Sequence, residues 1–121
     1  MSDIKKTENV GGLIISEEVI ASIAQNAALD IEGVAELAPQ PVNIGSIFRK
    51  GEASKSIKVR STDSDIIIDV YIVLKYGMKI PVVSEAVQRN IKEAVQNMTG
   101  RVVTNVNVHV MDIALDKESD E

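Results

Sequence analysis

Two segments of the chain carry apolar residues every three to four positions, the spacing of one helix face. The first begins after Ser16, an expected N-cap, and we expect it to end near Gly33. The second runs from about residue 81 to residue 99 and is expected to end at Gly100. The predicted apolar stripes are Val19, Ile20, Ile23, Ala24, Ala27, Ala28 and Ile31 in the first helix, and Val83, Val87, Ile91, Val95 and Met98 in the second.

Other segments alternate between apolar and polar residues or are short apolar runs, which predicts β-strands. The predicted strands are 34–37, 57–62, 65–76 and 101–113, and the apolar run 11–15 is a further candidate. The strand 65–76 is expected to form an antiparallel hairpin with 57–62, because the residues between them have turn composition.

The two long strands are apolar on one face only. The apolar face consists of Ile66, Ile68, Val70, Ile72 and Leu74 in one strand and of Val102, Val106, Val108 and Val110 in the other. The opposite face is mixed and includes Asp69 and Lys75. An apolar sheet face needs a cover, and two amphipathic helices are available for it. The predicted fold class is therefore α+β, a two-layer sandwich whose mainly antiparallel sheet is covered on one face by two amphipathic helices.

The length of 121 residues is that of one domain. We expect a flexible N-terminal tail over 1–10, a single α/β domain over 11–113 and an acidic tail over 114–121. Inside the domain, residues 39–56 are interrupted by Pro39, Pro41, Gly45 and Gly51, which predicts an irregular loop. Such long loops are usually functional or disordered.

Charge and composition exclude several classes of protein. The net charge of −5 and the small number of aromatic residues (Phe48, Tyr71 and Tyr76) disfavour nucleic-acid binding. Cysteine is absent, which fits a reducing compartment. No apolar run approaches the roughly 18–20 residues of a membrane span, and the N-terminus lacks the apolar core of a signal peptide. A cytoplasmic location is expected.

The sequence shows no catalytic constellation. His109 is the only histidine and is interpreted as a surface residue on the mixed face of the last strand. Glu17 and Glu18 suit a first helical turn, and Asp63 and Asp65 suit a turn. The glycines form no nucleotide-binding fingerprint. We therefore expect no enzyme activity, no metal and no cofactor.

Two surfaces are candidates for contacts with partners. The candidate interaction loop combines basic residues with the only phenylalanine, and either is simply solvated or docks on an acidic partner or an anionic lipid surface. The candidate interaction face lies on the mixed side of the sheet, where exposed apolar residues are either scattered or form a partner surface. The loop consists of Phe48, Arg49, Lys50, Lys55, Lys58 and Arg60, and the face consists of Ile67, Tyr71, Val73, Asn105, Asn107, His109 and Met111.

Two stretches resemble the motifs of the alkaline shock protein, or envelope stress response, family. Residues 11–37, GGLIISEEVIASIAQNAALDIEGVAEL, resemble its N-terminal motif. Residues 70–113, VYIVLKYGMKIPVVSEAVQRNIKEAVQNMTGRVVTNVNVHVMDI, resemble its C-terminal motif. The resemblance implies a small cytoplasmic protein of Gram-positive type bacteria, without known enzymatic activity or catalytic residues. It also implies a link to cell-envelope stress, and some members of the family self-associate and lie at the membrane through a membrane-anchored relative.

The leading hypothesis is a non-enzymatic scaffold or regulatory protein of the cell-envelope stress response that acts through protein–protein contacts near the membrane. Its expected partners are proteins, including a membrane-anchored relative of the same family and further copies of itself in a homo-oligomer. Contact with the inner face of the cell membrane is expected to be peripheral at most. The alternative is a regulator of fatty-acid synthesis acting through a protein complex or a bound metabolite, because some members of the resembled family are encoded beside fatty-acid metabolism genes.

Overall fold

A computed structural model describes residues 14–40 and 56–115 of the chain. Two helices and four strands lie within these ranges. In chain order they are α1 (Glu17–Leu29), β1 (Val34–Leu37), β2 (Ile57–Ser61), β3 (Ile66–Lys75), α2 (Ile80–Thr99) and β4 (Asn105–Ala114).

Strand β3 is the centre of the sheet and pairs with all three other strands. On one edge, β1 and β2 lie end to end and antiparallel to β3: β1 pairs with residues 72–74 and β2 with residues 66–70. The backbone of Tyr71 marks the junction, since its N–H donates to the Ser56 carbonyl and its carbonyl accepts from the Ala38 N–H. On the other edge, β4 runs parallel to β3 and follows it along residues 67–75.

The core lies between the sheet and the two helices. Ile66, Ile68, Val70, Ile72 and Leu74 of β3 are completely buried in it. The helices add Ile20, Ala24, Ala27 and Ala28 from α1, and Val83, Val87, Ile91 and Val95 from α2. These side chains form one hydrophobic cluster, which confirms the predicted two-layer α+β fold. The sheet is mainly antiparallel as expected, with β4 as its one parallel pairing among the described residues.

The N-terminus of α1 and the C-terminus of α2 are as predicted. Ser16 is the N-cap of α1, and its Oγ accepts a hydrogen bond from the Val19 N–H at 3.1 Å. Gly100 ends α2 in the left-handed conformation with φ of 75°. The prediction that α1 ends near Gly33 was wrong: the helix ends at Leu29, and Gly33, with φ of 111°, instead turns the chain into β1.

Three further details of the sequence prediction were wrong. Met98 was placed on the buried stripe of α2 but is 70% exposed, because the stripe ends one turn earlier at Val95. The last strand starts at Asn105 and not at residue 101, so the period-2 alternation does not extend to the preceding valines. Val102 is therefore 72% exposed and Val103 is buried at 2%, the reverse of their predicted faces.

The candidate strand over residues 11–15 is not a strand in its described part, residues 14 and 15. Residues 11–13 lie outside the described residues, as do residues 1–10, 116–121 and most of the predicted loop 39–56.

Substitution of Gly33 tests the turn into β1. A Cβ atom at this position would lie 2.9 Å from Val83 Cγ2 on α2, and the positive φ disfavours any side chain. We expect Gly33→Ala to lower the free energy of unfolding by about 1–3 kcal/mol, measured by urea denaturation.

Gly100→Ala is the matched control, because Gly100 also has a positive φ but nothing lies within 4 Å of the added Cβ. We expect Gly100→Ala to lower the free energy of unfolding by only about 1 kcal/mol, the penalty of the left-handed backbone conformation. Equal losses in the two variants would contradict the close approach of Gly33 to Val83.

Candidate functional site

The face of the sheet that points away from the helices, here called the open face, collects most of the predicted contact residues. The register of β3 and β4 places Ile67 beside Asn105, Asp69 beside Asn107 and Tyr71 beside His109. These side chains alternate with the buried residues of β3 and so lie on the opposite side of the sheet. The predicted face residues of β3 and β4 are thus neighbours across adjacent strands.

Asp69 is the centre of a hydrogen-bond network on the open face. Its Oδ1 accepts from Asn107 Nδ2 at 3.0 Å and lies 3.0 Å from His109 Nε2. Its Oδ2 lies 3.8 Å from Arg60 Nη2 of β2. Asp69 is only 9% exposed, so its carboxylate is enclosed by the groups that bind it.

The imidazole of His109 is held from two sides. Its Nε2 faces Asp69, and its ring stacks on the ring of Tyr71 with centroids 4.4 Å apart and planes 10° apart. Parallel stacking together with a carboxylate contact restricts the rotation of both rings. Both residues remain partly exposed, so this prearranged pair is available at the surface.

The pKa of Asp69 lies below its ordinary value. Burial would raise the pKa by disfavouring the charged carboxylate, but the hydrogen bonds from His109 and Asn107 and the charges of His109 and Arg60 lower it by more. The carboxylate is therefore ionised at neutral pH and holds its three neighbours in place.

The structure places the remaining predicted contact residues at different positions. Lys58 and Arg60 of the candidate loop lie in β2 and pair with Asp69 and Ile67, so they join the open face. Val73 is almost buried, whereas Met111 is exposed where β4 contains one extra residue between Val110 and Asp112. Phe48, Arg49, Lys50 and Lys55 lie outside the described residues.

Asp69 was not among the predicted contact residues, although the alternation placed it on the mixed face. One signal in the sequence pointed to it. A lone carboxylate in the middle of a long, otherwise apolar strand needs a partner to offset its desolvation. The partners come from two other strands, which is why only the assembled sheet identifies them.

The described residues show no sign of a catalytic centre. The contacts of His109 within ranges 14–40 and 56–115 are Asp69 and Tyr71, with no nucleophilic hydroxyl in hydrogen-bond distance of the imidazole. The same ranges contain no group of three or more His, Asp or Glu side chains that could hold a metal ion.

The fold is that of a two-layer α+β protein with one uncovered sheet face. The chain is a member of the alkaline shock protein family, described as having a cell envelope-related function, whose model matches residues 5–115. This confirms the resemblance inferred from the two sequence motifs.

Its relatives include proteins of Gram-positive bacteria. The chain is 36% identical over 114 residues to the uncharacterized protein YqhY of Bacillus subtilis strain 168, an alignment that covers 93% of this chain and 84% of that protein. It is 37% identical over 112 residues to the uncharacterized protein Spy1614 of Streptococcus pyogenes serotype M6, covering 89% of this chain and 93% of that protein.

Among solved structures, the copper form of the MamM CTD has the same fold. It aligns with a TM-score of 0.50 and 16% sequence identity, covering 79% of this chain and 85% of that chain. At this identity the similarity concerns the fold alone. Neither of the two helices in the described ranges combines the length and hydropathy that crossing a bilayer requires.

The low pKa of Asp69 predicts how stability changes with pH. Because the folded-state pKa is below the unfolded value of about 3.9, the carboxylate contributes stability above pH 3.9, and this contribution is lost as the pH falls through the folded-state pKa. We expect Asp69→Asn to destabilise the protein by about 1–3 kcal/mol at pH 7 and by much less near pH 3, measured by urea denaturation at both pH values.

Asp63→Asn is the control for this measurement, since Asp63 is an exposed turn residue. A loss at pH 7 that remains unchanged at pH 3 would show that the Asp69 carboxylate does not act through its charge.

Proposed function

We propose that this member of the alkaline shock protein family is a non-enzymatic scaffold or regulatory protein of the cell-envelope stress response that acts through protein–protein contacts near the membrane. The observation that carries the proposal is the cluster on the open face. There, Asp69 holds His109 against Tyr71, and both rings stay partly exposed on the sheet face that the helices leave uncovered.

The prearranged geometry favours binding. A side chain that is already held in one rotamer loses little conformational entropy when a partner covers it. Tyrosine and arginine are also enriched among the residues that dominate binding energies at protein interfaces. Tyr71 and Arg60 therefore supply anchors, and the ring of His109 supports the first of them.

The charges of the open face favour a protein over a uniformly charged partner. Lys58 and Arg60 lie beside the first half of β3. Glu36 and Asp112 lie beside Val73 in its second half, with Lys75 beyond them. A nucleic acid or an anionic bilayer would be attracted at one end and repelled by the carboxylates at the other. A protein surface of mixed charge can complement both ends.

These features support a cytoplasmic protein that reaches the inner face of the membrane through a partner, such as a membrane-anchored relative of the same family. The cell envelope-related function of the family is consistent with such a location. Direct membrane contact would then be peripheral at most. The basic residues Arg49, Lys50 and Lys55, together with Phe48, belong to the same proposal as an additional docking loop.

Affinity capture from a native lysate of the source bacterium tests the proposal. The bait is the full-length chain, and the variant is Tyr71→Ala, which removes the ring that stacks on His109. We expect the variant to recover at least 10-fold less of the envelope-associated protein than the original bait. A 10-fold difference corresponds to about 1.4 kcal/mol of binding free energy. Quantitative mass spectrometry of the captured proteins measures the ratio.

Tyr76→Ala is the matched control. Tyr76 is a 66% exposed tyrosine at the end of β3, outside the cluster, and its removal should leave capture unchanged. Identical recovery with the Tyr71→Ala, Tyr76→Ala and original baits would contradict the role of the open face. Recovery of lipid-synthesis enzymes in place of envelope proteins would favour the alternative function, regulation of fatty-acid synthesis.

A further inference from the structure

The two edges of the sheet are protected very differently. The edge formed by β1 and β2 consists of strands of only four and five residues, with the exposed charges of Glu36, Lys58 and Arg60. The outward N–H of Ser61 on this edge is already bonded to the Glu17 carboxylate of α1 at 2.9 Å. Short strands, charges and covered donors are the devices by which proteins prevent edge-to-edge association.

Strand β4 forms the opposite edge and has fewer of these devices: among the described residues, a side chain covers its Val106 carbonyl, by the hydrogen bond from Gln88 of α2. It is ten residues long and contains neither proline nor lysine. Asp112, which follows the extra residue Met111, is the only Asp, Glu, Lys or Arg residue of this strand. Among the described residues, β4 pairs with β3 alone, so its second edge is without a strand partner.

The hydrogen bonds of β3 show which residues of β4 point outward. Tyr71 and Lys75 donate their N–H groups to the β1–β2 side, whereas Tyr76 donates to the Ala114 carbonyl of β4. Neighbouring residues of a strand direct their backbone groups to opposite edges. The extra residue at Met111 reverses this alternation within β4. Before it, the outward residues are therefore Val106, Val108 and Val110.

Gln88 of α2 confirms this direction at one position. Its side-chain amide donates to the Val106 carbonyl at 3.1 Å from outside the sheet. Because a carbonyl oxygen has two lone pairs, the same oxygen can accept a second donor. The outward groups of Val108 and Val110 have no comparable partner within the described residues.

We propose that β4 pairs antiparallel with β4 of a second copy of this chain, about a two-fold axis that passes through Val108. This dimer rests on the proposed function in one respect, that the protein acts through protein contacts. Its interface is centred on the outer edge of β4. In this register each outward residue faces another outward residue: Val108 pairs with its own copy, and Val106 pairs with Val110. All three outward residues on each chain thereby gain hydrogen-bonded partners.

The side chains support this register because apolar residues pair with apolar residues and polar residues with polar residues. On the helix-covered side, valine meets valine at every pair, and the half-exposed Val108 and Val110 become covered. On the open face, Asn107 of one copy lies opposite His109 of the other. A second copy is therefore a better match than an arbitrary extended peptide, whose side chains need not alternate in this way.

Helix α2 runs beside the outer edge of β4 at its beginning. A groove of about 340 Å³ separates it from the edge at Thr104–Val106 and is lined by Glu85, Gln88, Arg89 and Lys92. The two-fold axis stands perpendicular to the sheet, so both α2 helices lie on one side and both open faces on the other. The pair would present two Tyr71–His109 clusters on one continuous sheet, which raises avidity for a partner with repeated sites.

Single cysteines test the register, since the chain has no cysteine of its own. In the proposed pair, the Cα atoms at position 108 lie about 5.5 Å apart, within the range of a disulfide. We expect full-length Val108→Cys to form a disulfide-linked dimer under mild oxidation, observed on a non-reducing gel. Val110→Cys is the matched control: it lies about 13 Å from its own copy and should stay monomeric on the gel.

Proline substitutions test the edge independently of the register. Val108→Pro removes an outward N–H that β3 does not use, so the monomer should keep its far-UV circular dichroism and its thermal unfolding transition. By light scattering, we expect the unmodified chain to form a dimer as its concentration rises, and Val108→Pro to remain monomeric. The control Val59→Pro removes an outward N–H from the opposite edge, on β2, and should still form a dimer.

Three results would overturn the proposal: an unmodified chain that stays monomeric at its solubility limit, dimerisation of folded Val108→Pro, or equal cross-linking of Val108→Cys and Val110→Cys. A Val108→Pro variant that loses its fold would contradict the outward direction of this N–H. Failure of the proposed function can be distinguished from failure of the β4 dimer. The proposed function fails if Tyr71→Ala leaves partner capture unchanged, whether or not β4 forms a dimer.

Discussion

The structure depends on the backbone hydrogen bonding of β3 along both of its edges. β1 and β2 share one edge and β4 takes the other, so the described strands meet only through β3. The same strand inserts five completely buried side chains between the sheet and the helices. Loss of β3 would therefore remove both the sheet and the core, and its apolar residues are required by folding alone.

That constraint leaves three surfaces with different physical characters. The residues of the helix-covered face form the hydrophobic core. The open face carries Asp69, whose desolvation is tolerated because Asn107, His109 and Arg60 compensate for it, and this compensation fixes the aromatic pair at the surface. The outer edge of β4 has no strand partner within the described ranges, although Gln88 covers its Val106 carbonyl. The proposed self-association would use the backbone of β4, whereas the proposed partner binding would use side chains of the open face, so the two proposals do not exclude one another.

Membership of the alkaline shock protein family connects this arrangement to the cell envelope. The described residues contain neither a nucleophile beside His109 nor a cluster of metal ligands. The Asp69–His109 pair resembles part of a catalytic triad in its contacts, but its imidazole lies partly exposed on the open face. The contact of the carboxylate with the imidazole fixes the ring orientation, which agrees with the proposed role of His109 in binding.

The sequence by itself determined the elements of the fold, because periodicity, the Ser16 cap and the Gly100 stop are local signals. It placed the open-face residues on one side of each strand, since alternation is also local. It did not determine where β4 begins, which reversed the faces of Val102 and Val103. Only the tertiary structure brought His109 to Asp69, because strand register joins these residues across 40 positions of the chain. It also placed Arg60 of β2 beside the same carboxylate and left the outer edge of β4 without a strand partner among the described residues.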